Sequence, residues 1–294
     1  MFDKVENKSE YAAFFIAKIM KIIVDNYYKE VTYEELYNAA INGITDKLDE
    51  YSIFFTDSNF KNTIDEYYEN SYSMLNSPYY ARSNSIKDYF LSEVCKFDAV
   101  GKYNNIKLIK MQEINSNTAN ELEKLIKKLQ GENITYIILD LRDNFGGRID
   151  YTVEICNLLV RKSILFNSYD KYKVCTTYST NLIKKPFDRI IVLTNKRTKS
   201  AAELIASVLQ SDDNIVIGQK TYGKGLSQKT YKIINGGTLI LTTNEFFKNN
   251  NEPINNIGIT PNIIVESPVV DNNKDVILEK AYKYLANILC NRSY

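Results

Sequence analysis

Histidine does not occur anywhere in the 294 residues of this chain. Serine–histidine triads, cysteine–histidine dyads and histidine-ligated metal centres are excluded by that absence, since each needs an imidazole as base or ligand. Cysteine is scarce. Cys95, Cys156, Cys175 and Cys290 show no CxxC spacing, so neither a zinc site nor a disulfide framework is expected, and no metal or cofactor with it. Cys156 and Cys290 fall in helical apolar patterns and read as core. Neither sign of charge prevails: 37 Lys+Arg stand against 36 Asp+Glu with no basic block, which leaves no field to hold nucleic acid or an anionic membrane. Long hydrophobic runs are also missing. Tyr11 to Val24 is apolar but broken by Lys18 and Lys21, too short for a membrane span, and lacks a signal-peptide layout. The expectation is a soluble cytoplasmic chain, or an extracytoplasmic one if the chain is a mature or trimmed form.

What is present is ordinary globular material, 44% hydrophobic and 25% charged, at a length that suits one large domain with an appendage. Residues 9–28 repeat apolar positions at helical spacing, and Thr32 with Glu35 forms a capping box opening a helix to about Leu48. Tyr51 to Thr56 closes this pair. No glycine occurs between Gly43 and Gly101. The polar stretch from Asp57 to Arg82 reads as a short helix (Asn59–Asn70) and a loop. The expected division is therefore 1–83, a helical region with a polar insert, and 84–294, the core.

From about Ser85 helices and strands alternate. Lys107–Met111 reads as a strand, and Thr118 with Glu121 caps a helix ending at Gly131. Ile134–Leu141 and Arg189–Thr194 are apolar runs of the kind found in strands buried on both faces. Further strands are expected at Asn214–Gly218, Leu226–Ile234, Thr238–Thr243 and Ile263–Val265, with a hairpin at Asn235-Gly236. Helices follow each buried strand, one to about Val160 and one over Ser200–Gln210, and Val276–Leu289 is amphipathic. The pattern is that of an α/β fold with a mixed sheet.

Without an imidazole, hydrolysis needs a lysine-based nucleophile, and three segments supply its parts. Ser200 opens a helix just beyond a buried strand, where α/β folds place their sites. Ser200-Ala201-Ala202-Glu203 is also a plain capping box. In the functional reading the Ala201 N–H faces a developing oxyanion. Gly146-Gly147 lets bare backbone approach a ligand and supplies a second donor, or is merely a turn. Lys224, between Gly223 and Gly225, can serve as base if burial makes it titrate near neutrality, well below about 10.4. If Lys224 belongs to the strand, period two puts Lys224, Leu226 and Gln228 on one face, where Gln228 can orient the amine. Lys199 reads as solvent-facing.

Together these segments resemble the carboxyl-terminal processing (tail-specific) serine proteases. VTYEELYNAAINGITDKLDEYSIFFT is similar to that family's helical entry and ITYIILDLRDNFGG to its strand and Asn-Pro-Gly-Gly turn. VLTNKRTKSAAELIASVLQ resembles the nucleophile helix, and GQKTYGKGLSQ with GGTLILTT and GITPNIIVE the lysine-bearing strand and its continuation. The resemblance implies a crotonase-like core, Ser200 as nucleophile, Lys224 as base, Gln228 as the orienting residue, and oxyanion donors at Ala201 and Gly146 or Gly147. It implies a homodimer as well. Phe145 stands where the family has proline, Thr198-Lys199 and Ala202 replace small or serine residues, and no PDZ domain fits between the helical entry and the core. The expected activity is that of a serine endopeptidase acting on peptides or unfolded and C-terminal protein segments through an acyl-enzyme. Substrate would add to the strand edge at Leu226 and Ser227. The rival is a silent peptide-binding protein that keeps the groove. A CoA-dependent acyl transferase is a third reading, for which the sequence shows no phosphate-binding cluster.

Overall fold

The computed structural model describes residues 7–55, 86–90, 106–161, 163–181, 185–233, 237–266 and 275–291. The expected helix Asn59–Asn70, the boundary at 83/84 and the Asn235-Gly236 turn lie outside the described residues. The chain divides into two compact units, Met1–Asn70 with Gln228–Thr242, and Ser71–Ser227 with Thr243–Tyr294.

The first unit opens with α1 (Lys8–Asn26) and α2 (Tyr33–Thr45). α2 begins as its sequence dictates. Thr32 takes an extended conformation (φ −93°, ψ 157°), its hydroxyl accepts from the Glu35 N–H, and the Glu35 carboxylate accepts from the Thr32 N–H at 2.7 Å. The segment expected only to close the helical pair carries a strand, β1 (Ile53–Phe55), antiparallel to the first half of β10 (Gly237–Lys248). β9 (Leu226–Ile233), which passes into this unit at Gln228, also pairs with β10. The Gln228 amide donates to Thr242 Oγ1 at 3.0 Å, and that hydroxyl donates to Asp49 Oδ1 at 3.0 Å.

The second unit is built on a six-stranded sheet in the order β11-β8-β7-β4-β3-β2, comprising Ile263–Ile264, Ile215–Gly218, Arg189–Thr194, Tyr136–Asp140, Ile106–Met111 and Ile86–Phe90. All neighbours are parallel except the antiparallel edge strand β2. From β3 to β8 the chain adds each strand on the same side, so right-handed crossovers return every connecting helix to one face. Those helices are α3 (Thr118–Gly131), α4 (Ile149–Leu159) and α5 (Ala201–Ser211). The opposite face is covered by α6 (Val276–Asn291). Alternate residues of one strand feed two cores: Ile137 and Leu139 pack with α3, α4 and α5, whereas Tyr136 and Ile138 pack with α6. This is why β4 and β7 read as continuous apolar runs, each buried aliphatic contributing about 1.5–3 kcal/mol.

Two local readings need correction. Thr118 does not cap α3: the cap position is Asn117, and the Thr118 hydroxyl instead donates to the Glu113 carbonyl and accepts from the Asn115 N–H, closing the preceding loop. β9 begins at Leu226 as expected, so Lys224 lies in the turn before it and the period-two condition does not apply. Two antiparallel strands, β5 (Ile164–Asp170) and β6 (Cys175–Ser179), went unread between Val160 and Arg189. β6 is mostly exposed and shows no apolar alternation. β5 pairs on its other side with the second half of β10, and Phe166 stacks on Tyr178 and meets Phe246 edge-on. Cys156 is a core residue as expected, and burial pushes its thiol up to about 12, which leaves it inert. Among the described residues no helix is long and apolar enough to cross a membrane, and no cluster of acidic or cysteine side chains could hold a metal ion.

Candidate active site

Because β4, β7 and β8 are parallel neighbours, the turns that leave them emerge at one edge of the sheet. These turns are 141–148, 195–200 and 219–225, and they contain Gly146-Gly147, Ser200 and Lys224. Hydrogen bonds lace the first two together. Asp143 and Asn195 bond reciprocally, N–H to Oδ1 at 3.1 Å and Nδ2 to Oδ1 at 3.0 Å. The Lys199 N–H donates to the Asn144 carbonyl at 2.9 Å, and the buried Thr198 hydroxyl donates to the Leu141 carbonyl at 3.0 Å. Asn144, fully buried, anchors the turn inward through Met111 O at 2.9 Å and accepts the Gly146 N–H at 2.8 Å. The third turn joins through the Tyr222 N–H, which donates to the Thr198 carbonyl at 3.0 Å.

Ser200 sits at this edge, half-buried, with φ 57° and ψ −123°. A residue that merely caps a helix takes extended dihedrals, as Thr32 does within the same chain. Ser200 shares the capping signature but not the conformation. Positive φ at a non-glycine residue between strand and helix is the geometry of a nucleophile elbow, which lifts the side chain clear of the sheet. Its neighbour Ala201 supplies the first N–H of α5, a donor that no carbonyl within the helix can take.

Gly146 lies directly against this elbow. With φ +96°, a Cβ there would meet Ala201 N at 2.8 Å, Lys199 O at 2.9 Å and Ser200 Cβ at 2.9 Å. Its N–H is spent on Asn144, so Gly146 acts by close approach, whereas Gly147 is exposed at the surface. Phe145, in place of proline, lies beneath the Arg197 guanidinium, 5.4 Å from the ring centre, and Arg197 is in turn paired with Asp143.

Lys224 is half-buried in a turn that two elements grip. On one side is the 255–259 loop: the Asn256 N–H donates to the Gly223 carbonyl at 2.8 Å, and a Cβ on Gly225 would lie 2.4 Å from Asn255 N. On the other is Glu203. Its Oε1 accepts from Thr221 Oγ1 at 2.5 Å and the Gly223 N–H at 2.7 Å, and its Oε2 accepts from the Ser200 and Lys224 N–H groups, each at 2.8 Å. One oxygen thus holds the backbones of both expected site residues, which keeps their nitrogens within two hydrogen-bond lengths of each other. Burial raises the Glu203 pKa above its ordinary value, against the opposing pull of these four donors.

The expected residues therefore divide. Ser200, Ala201, Gly146, Gly147 and Lys224 gather at one edge of the second unit, and Leu226 and Ser227 continue it as half-buried residues opening β9. Gln228 belongs to the first unit, where its amide is bonded to Thr242. Lys199 is not simply solvent-facing: its Nζ lies 4.1 Å from the centre of the Tyr222 ring, a cation–π contact at the lip of the site. Glu203 and Thr221 were missed. The signal was available in SAAELIASVL, where one carboxylate interrupts a helix otherwise buried from Ala201 to Leu209.

Comparison with known proteins gives the family of the second unit's sheet region. The model of Peptidase family S41 matches residues 105–265. The chain is similar to the chloroplastic carboxyl-terminal-processing peptidase 2 of Arabidopsis thaliana, 31% identical over 175 residues, covering 58% of this chain and 34% of the relative. It is similar also to the carboxy-terminal processing protease CtpA of Bacillus subtilis, 32% identical over 187 residues, covering 62% of this chain and 40% of the relative. The chain thus spans well under half the length of these curated relatives. Among solved structures, a photosystem II D1 C-terminal processing protease superposes with a TM-score of 0.57 at 22% identity, covering 68% of this chain and 53% of that one, a likeness of fold.

Proposed function

This chain belongs to peptidase family S41, and from that premise we propose that it is a serine endopeptidase working through a Ser200–Lys224 dyad. The observation that carries the reading is the elbow at Ser200, a positive-φ serine at a helix start whose backbone shares one carboxylate oxygen with the backbone of Lys224. Ser200 Oγ attacks the peptide carbonyl as Lys224, neutral in the resting site, accepts the serine proton. The tetrahedral oxyanion is held by the Ala201 N–H, with Gly147 as the second donor because the Gly146 N–H is engaged within its own turn. Lys224 then passes the proton to the leaving amine, and water resolves the acyl-enzyme by the reverse sequence. The resemblance gives the orienting role to Gln228, whose amide is bonded to Thr242 in the first unit. Extended peptide adds to the β9 edge at Leu226 and Ser227, whose backbone groups recognise main chain rather than particular side chains.

The substrate class proposed is unfolded protein or C-terminal peptide segments. The test is incubation of the full chain with casein and a peptide library, cut sites being read by mass spectrometry. Cleavage by the wild type that vanishes in Ser200→Ala and Lys224→Ala is the expected result. Cleavage surviving in Lys224→Ala would remove the dyad, and peptide binding without cleavage by the wild type would identify a silent groove.

A further inference from the structure

We propose that Glu203 is a positioning residue that sets the nucleophile and the base against each other, and this rests on the dyad reading above. Four donors converge on its two oxygens: Thr221 Oγ1 and the Gly223 N–H on Oε1, the Ser200 and Lys224 N–H groups on Oε2. The Thr221 hydroxyl accepts the Ile259 N–H at 2.7 Å, so its own proton is directed to Glu203. An ionised carboxylate offers about four lone-pair sites, and here each one is taken. As an anion the group is saturated, so taking up a proton requires one of these four bonds to open.

Side-chain chemistry explains why no other residue serves. Glutamine has nearly the same shape but presents an NH₂ where two donors already point, so at least one of the four bonds must open. Aspartate keeps the charge but draws it back along the helix by one methylene. The consequence falls on Ser200 first, because its positive-φ conformation is one that non-glycine residues leave unless the surroundings hold them. It falls on Lys224 next, because the glycines on either side give its turn little stiffness of its own. The carboxylate touches backbone N–H groups and one hydroxyl and neither substrate nor reacting atom, so its effect is exerted through geometry. The 255–259 loop completes the clamp from the far side of the turn, by the Asn256–Gly223 bond and the Thr221–Ile259 pairing.

The experiment compares wild type, Glu203→Gln, Glu203→Asp, Thr221→Val and Ser200→Ala as full chains. Each is followed by steady-state hydrolysis of a fluorogenic peptide, by the rate of labelling with a fluorophosphonate, and by thermal melting. Misplacing reacting groups by about 1 Å costs roughly 10²-fold, so kcat and labelling of Glu203→Gln should fall by about that factor with KM little changed. Glu203→Asp should recover part of the loss, and Thr221→Val, which removes one donor and keeps the carboxylate, should show a smaller fall in kcat alone. A lower melting temperature with unchanged kcat per labelled site would make Glu203 merely structural and overturn the inference. If Glu203→Gln does not fold, Thr221→Val decides by the same criterion. A wild type with no Ser200-dependent hydrolysis or labelling would instead overturn the dyad reading itself.

Discussion

At the scale of single residues, the site depends on a contact that has no room for a methyl group. Gly146 occupies positive φ with its α-carbon pressed on Ser200 and Ala201, so Gly146→Ala must both strain its own backbone and push the elbow away. The strain alone is on the order of 1–3 kcal/mol. Melting should register a loss of that size, and any residual peptidase activity should be far below that of a surface Gly→Ala control such as Gly43→Ala, where open space surrounds the α-carbon. Thr32→Ala should cost about 1 kcal/mol, because this cap is a real one whose hydroxyl satisfies the Glu35 N–H. Sequence alone could not separate the two Ser/Thr-x-x-Glu signatures, since the difference is a backbone angle imposed by the turn that packs against Ser200.

At the scale of elements, the turn that leaves β4 is tied to the C-terminal helix by an ion network. Arg142, leaving β4, bonds both oxygens of Asp140 at 2.8 and 2.7 Å and reaches Asp275 at 2.7 Å. Asp275 also accepts the Leu278 N–H at 3.0 Å and so caps α6. Burial works against the guanidinium charge, but Asp140 and then Asp275 outweigh it and raise its pKa. Arg142→Met would leave Asp140, only 2% exposed, charged and unpaired. Loss of one partner from such a pair costs about 3–5 kcal/mol, measurable by urea unfolding. The apolar runs that became β4 and β7 were legible because both faces are buried. β5 and β6 were not, since a half-exposed antiparallel pair is held by its partners and its aromatic contacts rather than by its own pattern.

At the scale of the whole molecule, pH reads out the buried carboxylate. Glu203 has a folded pKa raised above its unfolded value by burial, so its contribution to stability is fully present below the unfolded value and is lost as pH rises through the folded one. The groups facing it are Ser200 N–H, Thr221 Oγ1–H and the N–H groups of Gly223 and Lys224. Since glutamine does not titrate, the melting temperature of wild type relative to Glu203→Gln should rise as pH is lowered through that window. A difference independent of pH would show that Glu203 keeps one protonation state throughout.

The amino-acid sequence by itself determined the chemistry available. Without histidine no imidazole can act as base, and the apolar runs and turn residues placed Ser200, Lys224 and the glycine pair at the ends of elements. The elements around them followed from periodicity, because local burial patterns are written residue by residue. Only the tertiary structure decided which of these ends meet. Parallel order brings the turns after β4, β7 and β8 to one edge, and a single carboxylate, read in sequence as half of a cap, then bonds two of them at once. Spacing along a chain carries no record of that convergence, because it arises from the order in which strands pair across the sheet.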